Sequence, residues 1–465
     1  MDTPIGTLFF VISSVFVAIV SAKLGLQLSI GILGLLIGSI VFLLVFISPK
    51  YGYFLSILIP FIFILPERKY QINVPVGLFM QILPILGISV IVLKKLMRKD
   101  FSYGFLWNGV TYCMLAILAF NVFQIVNPNG VSIVGTMFVL KGSISILCCY
   151  ALVLYVVNKR FLRTFLILWL SLAFISAVYG CVQEWFGLMS FEEAWVRAEE
   201  LRYKRIFVAG RFRKFSLLTD PASFGIFMSS SGLVCLILCI TTKNSVLRWT
   251  TGICVPFMLL AMGYSGTRTA YAMFAAGLMM YGLMSITKPR TMILIAIGGI
   301  LGVFILFGPI QNPTIARIRS TFDSDDPSLG VRDENRKYIQ SYIHQHPLGG
   351  GLVTTGPLGE KYNPGHVLAG FPPDSGYLQR ALEIGPIGLA IFMIFLFVGL
   401  KNGIVNYFHL KNEELKMYTL AFVIFTFAVT VSIYAQIATT AIPMSYIFYP
   451  VMGIMSRMKD LDFEN

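Results

Sequence analysis

Charged residues are scarce in this chain. Asp, Glu, Lys and Arg make up 12% of its 465 residues, 57% are hydrophobic, and the mean hydropathy is +0.78. A water-soluble protein needs a more polar surface, so the composition excludes an ordinary soluble domain. It predicts an all-α polytopic membrane protein, with residues 1–465 forming a single membrane domain.

Cysteine, histidine and acidic residues are also few. All seven cysteines lie inside apolar runs, so neither a disulfide framework nor a cysteine metal site is indicated. The local acidic group at Asp323, Asp325 and Asp326 is typical of a solvated turn rather than a cation site. We predict no bound metal and no cofactor.

Apolar runs long enough to cross a bilayer follow one another along the chain. About 20 helical residues span roughly 30 Å of hydrocarbon. On this basis fourteen transmembrane helices are predicted, at residues 5–22, 25–47, 51–66, 73–93, 104–126, 131–157, 161–186, 221–241, 247–264, 266–286, 291–311, 374–399, 416–436 and 438–456.

Lysine and arginine concentrate in short loops on one side of this topology, beginning with the loop that holds Lys94, Lys95, Arg98 and Lys99. Short cytoplasmic loops retain positive charge, so this side and both termini are predicted to be cytoplasmic. The net charge of +14 then reflects topology and contact with anionic lipid. Nucleic acid is not predicted as a partner.

Two exterior loops are predicted, at residues 187–220 and 312–373. The second contains "VRDENRKYIQSYIHQHP", an expected amphipathic helix that ends at Pro347. Its apolar stripe consists of Tyr338, Ile339, Tyr342 and Ile343. The "PLGGG" stretch that follows has a backbone able to approach a ligand closely.

Arg268 begins the span 266–286 within "GYSGTRTAYAMF". A cation there opposes the helix dipole, which favours anions at N-termini. Two interpretations are open. Arg268 either extends to lipid phosphate, or joins the backbone N–H groups of the helix start in a seat for a diphosphate.

Other cationic and titratable residues are candidates for substrate binding. Lys141 lies inside a span, where an ionisable group normally faces a cavity or a partner. Arg211 and Arg213 are expected to contact either lipid phosphate or acidic glycan groups. His346 lies at a helix C-terminus, which is an ordinary place for histidine, so its binding role is an alternative to a structural one.

Three stretches resemble successive signatures of the O-antigen ligase and O-antigen polymerase (Wzy-like) superfamily. They are "SGTRTAYAMF", "GVRDENRKYIQSYIHQHPLGGG" and "PDSGYLQRALEIGPIGLAIF", and "GRFRKFSLLTDPASFG" resembles the segment before a central span. The resemblance covers about residues 205–399.

This resemblance implies a GT-C-related helical fold with a partly helical exterior loop before the third-last span. It implies metal-independent, inverting glycosyl transfer from a polyprenyl (undecaprenyl) diphosphate-linked glycan at the outer face of a bacterial plasma (inner) membrane. Arg268 and Arg332 match the arginines expected to hold the diphosphate, and Arg336 and Arg211 are further candidates. Expected partners are the lipid-linked glycan, membrane lipids and a chain-length regulator protein.

The family's ligases usually have a histidine where this chain has Asp374. That departure favours a polymerase. An attacking hydroxyl must lose a proton, so Asp374 is the predicted base, with Glu383 as second choice, and Tyr377 in the same motif is expected to contact substrate. The alternatives are an O-antigen ligase acting on lipid A core and a transporter or flippase for lipid-linked glycan.

Overall fold

The structure is a computed structural model. It describes residues 26–463, apart from 73, 209, 288, 290–292, 294, 295, 297, 301, 304–306, 310–318, 320–336 and 338. The named helices in this part of the chain are α1 (Leu26–Ile47), α2 (Lys50–Tyr70), α3 (Val76–Met97), α4 (Gly109–Phe123), α5 (Ile133–Val156), α6 (Lys159–Trp185), α7 (Ser190–Arg197), α8 (Glu200–Ile206), α9 (Pro221–Thr241), α10 (Ser245–Tyr264), α11 (Arg268–Met284), α12 (Gly356–Tyr362), α13 (Gly376–Glu383), α14 (Gly385–His409), α15 (Glu413–Ser432) and α16 (Ser445–Phe463). A two-residue hairpin pairs β1 (Phe207–Val208) with β2 (Arg211–Phe212).

Nine of the described helices are long and apolar enough to cross a membrane, namely α2–α6, α9, α10, α14 and α15, with α4 counted to Val126. The predicted class of all-α polytopic membrane protein is therefore confirmed. The number of fourteen spans stays a prediction, because span 5–22 and most of 291–311 lie outside the described residues.

Two predicted spans are wrong in detail. The single helix expected over 374–399 is divided at Ile384 into α13 and α14, because Gly385 takes a positive φ of 69° and Pro386 in the first turn cannot donate a helical hydrogen bond. The span expected over 438–456 begins only at Ser445, after a connection that contains Pro443. Apolar composition extends through both irregular stretches, so hydropathy alone does not detect them.

Helices α9 and α15 form the centre of the bundle. Of the most apolar stretch of each, 78% and 72% of the residues are buried, against at most half in the other seven spans. Trp169 of α6 packs on Phe425 of α15 with ring centroids 5.0 Å apart, and its Nε1 donates to Ser231 Oγ of α9 at 3.0 Å. The aromatic core thus fixes α9 and α15, against which the functional segments pack.

The bundle has two chemically different ends. One, here called the loop end, carries residues 186–220 and 347–375 together with the starts of α9 and α11. The opposite end, here called the basic end, carries residues that the sequence assigns to cytoplasmic loops, including Arg163, whose guanidinium pairs with Glu414 at 2.6 Å.

The predicted exterior loop 187–220 is folded around Arg68 at the end of α2. The Arg68 guanidinium donates to Ser216 O at 2.5 Å and to Leu218 O, and it lies 3.5 Å from a Glu192 carboxylate oxygen. Both side chains are fully buried. The Arg68 network therefore ties α7 and the segment before α9 to the membrane helices.

Candidate functional site

The turn between α10 and α11 lies at the loop end. Gly266 takes a positive φ of 58° there, Thr267 is the N-cap, and half-buried Arg268 is the first residue of α11. Arg268 therefore lies at a helix start, as the sequence predicts. A helix start presents backbone N–H groups that favour anions.

Arg213 connects this turn to the predicted exterior loop. Its Nε donates to Ser265 O at 2.9 Å, and its Nη2 donates to Thr267 Oγ1 at 2.9 Å. Thr267 Oγ1 in turn donates to Pro221 O of α9 at 2.9 Å. Two sequence motifs far apart in the chain therefore meet at one turn, and two arginines occupy it. Arg211 lies two residues away, in β2.

Asp374 and Tyr377 lie where α13 begins, against the end of α15. Gly376 N donates to Ile433 O at 2.9 Å, and Tyr377 Oη donates to Thr430 O at 2.8 Å. Burial raises the pKa of Tyr377 to about 12. The Tyr377 hydroxyl is thus engaged with the bundle, whereas the Asp374 side chain is exposed. Since α15 also packs against α11, the same central helix supports the Arg268 and Asp374 motifs.

The glycine run after Pro347 packs on the protein's own backbone. Gly350 N donates to Leu382 O at 2.8 Å and Gly351 N to Glu383 O at 2.9 Å, so the run caps the last carbonyls of α13. Gly349 has a φ of 75°, and a Cβ there would overlap the backbone of Glu383. The backbone of the glycine run, which was expected to approach a ligand, approaches the break between α13 and α14 instead.

Glu383 anchors the loop that follows the glycine run. Its Oε1 accepts from Thr355 Oγ1 at 2.5 Å and from Gln379 Nε2 at 3.3 Å. Burial raises the pKa of Glu383, while these hydrogen bonds oppose the increase. The carboxylate is occupied by protein donors, so the geometry favours a positioning role over the second-choice base role predicted from the sequence.

Arg380 was not among the candidate site residues predicted from the sequence. It faces a cavity of about 190 Å³ enclosed by α4, α5, α13, α14 and α16. Its Nη1 donates to Gly376 O at 3.1 Å, its Nη2 donates to Thr439 Oγ1 at 3.3 Å, and its Cζ lies 3.7 Å from the centroid of the Phe392 ring. An available signal was its charge within the predicted span 374–399.

Two of the three histidines near the glycine run, His346 and His366, are held by local contacts. His346 stacks on Tyr342 with ring centroids 4.0 Å apart, and its Nδ1 is 2.9 Å from Tyr342 O. His366 Nδ1 accepts from Leu368 N at 3.1 Å, and burial lowers the pKa of this imidazole. Of the expected apolar stripe, Ile339, Tyr342 and Ile343 pack in one cluster, and Tyr338 lies outside the described residues.

Lys141 is not brought to the Arg268 turn or to the cavity. It lies on the exposed face of α5, where its Nζ is 5.4 Å from the centroid of the Phe138 ring. Phe138 stacks in turn on Tyr362 of α12. Arg332 and Arg336 lie outside the described residues. Within the described ranges, no group of three or more His, Cys, Asp or Glu side chains is placed to hold a metal ion.

Residues 253–393 match the family model of O-antigen ligase. This match confirms the resemblance to the O-antigen ligase and polymerase superfamily. The matched range contains the Arg268 turn, Asp374, Arg380 and Glu383, and it ends within α14. No curated protein matches the chain. The family match supports a function of the O-antigen ligase or polymerase type without separating the two.

Proposed function

We propose that this protein is a polysaccharide polymerase. It joins polyprenyl diphosphate-linked repeat units of an O-antigen, capsule or exopolysaccharide by metal-independent, inverting glycosyl transfer, and its loop end faces the outside of the plasma membrane. The main support is the contact of Arg213 with the Ser265–Thr267 turn, which brings a second guanidinium to the helix start that carries Arg268.

The donor side of the reaction needs fixed positive charge. As the anomeric C–O bond to the diphosphate breaks, negative charge grows on the leaving diphosphate oxygen, and prearranged donors stabilise that charge. Arg268 and the first N–H groups of α11 supply them. Arg213 donates two hydrogen bonds to the turn and one to Arg205 O, so its role is to hold the turn and raise its positive potential. Arg332 and Arg336 would add charge from the loop before α12.

The acceptor side of the reaction needs a base. The attacking hydroxyl oxygen forms the new bond to the anomeric carbon, and its proton passes to the Asp374 carboxylate. The exposed position of Asp374 beside the α15 end leaves it accessible to a sugar from the loop end. Asp374 in place of the ligase histidine is the feature that favours polymerisation over transfer to lipid A core.

The test uses the purified full chain with a lipid diphosphate-linked repeat unit as the sole substrate. A polymerase produces a ladder of longer lipid-linked glycans, and Asp374→Asn should slow its formation by about 10²–10⁴-fold. Product that forms only after lipid A core is added would establish the ligase alternative. Glycan that crosses a vesicle membrane without lengthening would establish the flippase alternative.

A ladder that forms at full rate with Asp374→Asn would remove this residue from the base role while leaving polymerisation intact. The matched control is Glu360→Gln, which neutralises an exposed carboxylate of α12 in the same segment. We expect that control to produce a normal ladder.

A further inference from the structure

The cavity that Arg380 faces has mostly apolar walls, and its polar lining includes Glu383, Gln379 and Asn121. The walls include Met114 and Leu118 of α4, Leu147 of α5 and Ile391 of α14. A cavity needs roughly 10–15 Å³ to hold one water molecule. The cavity of about 190 Å³ therefore has room for on the order of fifteen water-sized groups. That is enough for a head group and the start of a chain, and too little for a whole lipid.

Arg380 shares the lining of this cavity with Glu383 but is not paired with it. Its hydrogen-bond partners are a carbonyl and a hydroxyl, and it forms no ion pair with any described residue. The nearby Glu383 carboxylate is occupied by Thr355 and Gln379. An ionisable group in apolar surroundings normally has a partner, so the geometry favours an anionic ligand.

The guanidinium is prearranged for such a ligand. Stacking on Phe392 and the two hydrogen bonds fix its plane before anything binds, which limits the side-chain entropy lost on binding. A planar guanidinium pairs well with phosphate oxygens. The polar end of the cavity therefore suits a phosphate group.

The apolar end of the cavity lies one helix layer from the perimeter of the bundle. Leu115, on the outer face of α4, is 40% exposed. Helices α4 and α14 approach closely at Gly109 and Val398 and enclose the cavity nearer the loop end. A polyprenyl chain bound here would have to pass α4 to reach the membrane hydrocarbon.

The lining residues of the described chain come from none of α9, α10 and α11. The cavity is therefore separate from the Arg268 turn. We propose that it is a second polyprenyl phosphate site, in which Arg380 binds the head group of the acceptor lipid. This inference rests on the proposed polymerase function, because a polymerase must hold two lipid-linked glycans at once, whereas a lipid A ligase needs one.

The test measures binding without turnover. The full chain in lipid nanodiscs is titrated with farnesyl phosphate, which carries no sugar, and the bound equivalents are counted by native mass spectrometry. We expect two equivalents for the unmodified protein and one for Arg380→Gln, with the lost site weakened at least tenfold. Inorganic phosphate alone should not occupy the site, since it lacks the chain.

A pair of matched variants covers the case in which Arg380→Gln fails to fold. Leu118→Phe narrows the cavity, whereas Leu115→Phe adds the same bulk to the outer face of the same helix. Loss of one bound equivalent with Leu118→Phe but not with Leu115→Phe supports the site. Two equivalents retained by folded Arg380→Gln or by Leu118→Phe would overturn it. A missing glycan ladder with two-site binding intact would instead count against the polymerase.

Discussion

Arg68 and Arg380 are both arginines that stack on aromatic rings within apolar surroundings, and their partners differ. Arg68 lies 4.5 Å from the centroid of Phe215 and is neutralised by Glu192 in a network with no exposed surface. Arg380 stacks on Phe392 and faces a cavity, and it forms no ion pair with a described carboxylate. Arg68 is buried and Arg380 is partly buried, so burial by itself does not identify a functional cation. What matters is whether the protein itself supplies the opposite charge.

The strongest test of the Arg68 network is Glu192→Gln. It leaves the buried Arg68 charge uncompensated, so we expect a loss of about 3–5 kcal/mol in the free energy of unfolding. Thermal unfolding of the detergent-solubilised protein measures it. The matched control is Glu193→Gln, one residue along α7, whose partner is the exposed Arg197. A similar small loss of unfolding free energy in both variants would show that Glu192 does not neutralise a buried Arg68.

The role of the Arg268 turn is tested by Arg268→Ala. We expect glycan lengthening to slow by about 10²–10³-fold, because a donor to the leaving diphosphate is lost. The unfolding temperature should change little. Arg268→Lys keeps the charge but loses the planar fork, so its rate should lie between the two. Normal chain length with Arg268→Ala would favour the alternative that this side chain contacts lipid phosphate only.

The comparison extends to Glu383, a buried carboxylate that has hydroxyl and amide donors in place of an arginine. Thr355→Val removes the shortest of its hydrogen bonds and should cost about 1.5–3 kcal/mol of unfolding free energy, as for a hydrogen bond to a charged group. Thr354→Val is the control, since Thr354 Oγ1 donates to the neutral Gly351 O at 2.8 Å. Equal costs would mean that Glu383 is not the anchor of this loop.

The smallest effect is expected at the basic end. Arg163 and Glu414 form a close pair, but their side chains are 59% and 33% exposed. Arg163→Ala should therefore lower the free energy of unfolding by less than about 1 kcal/mol. Thermal unfolding at low and high salt measures it, with a smaller difference at high salt. If Arg163→Ala lowered the free energy of unfolding as much as Glu192→Gln, the buried and the exposed ion pair would not differ in their contribution to stability.

Most helices could be located from the sequence, because a long apolar run is a local property. Spans 131–157 and 221–241 agree with α5 and α9 within a few residues. The break at Ile384 could not be located in this way. Gly385 and Pro386 cause the break locally, but an apolar run does not show it. The packing of the glycine run 349–351 onto the carbonyls of α13 joins segments more than thirty residues apart, so it could not be predicted from neighbouring residues.

The candidate site divides in the same manner. Arg268 was predicted at the start of a helix from its neighbours in the chain, and it is there. Arg213 was predicted only as a general anion contact, because nothing local shows that its guanidinium reaches Ser265 and Thr267. Arg380 was missed because its significance depends on a cavity between five helices.

Neighbouring residues in the sequence were enough to predict a helical membrane protein with motifs similar to those of the O-antigen ligase and polymerase superfamily, whose model matches residues 253–393. Apolar run length and short motifs are encoded by neighbouring residues and need no partner elsewhere. Which arginine is neutralised and which faces a cavity became visible only in the folded protein. The state of a charge depends on the opposite charges and open space around it, and in this fold those come from distant parts of the chain.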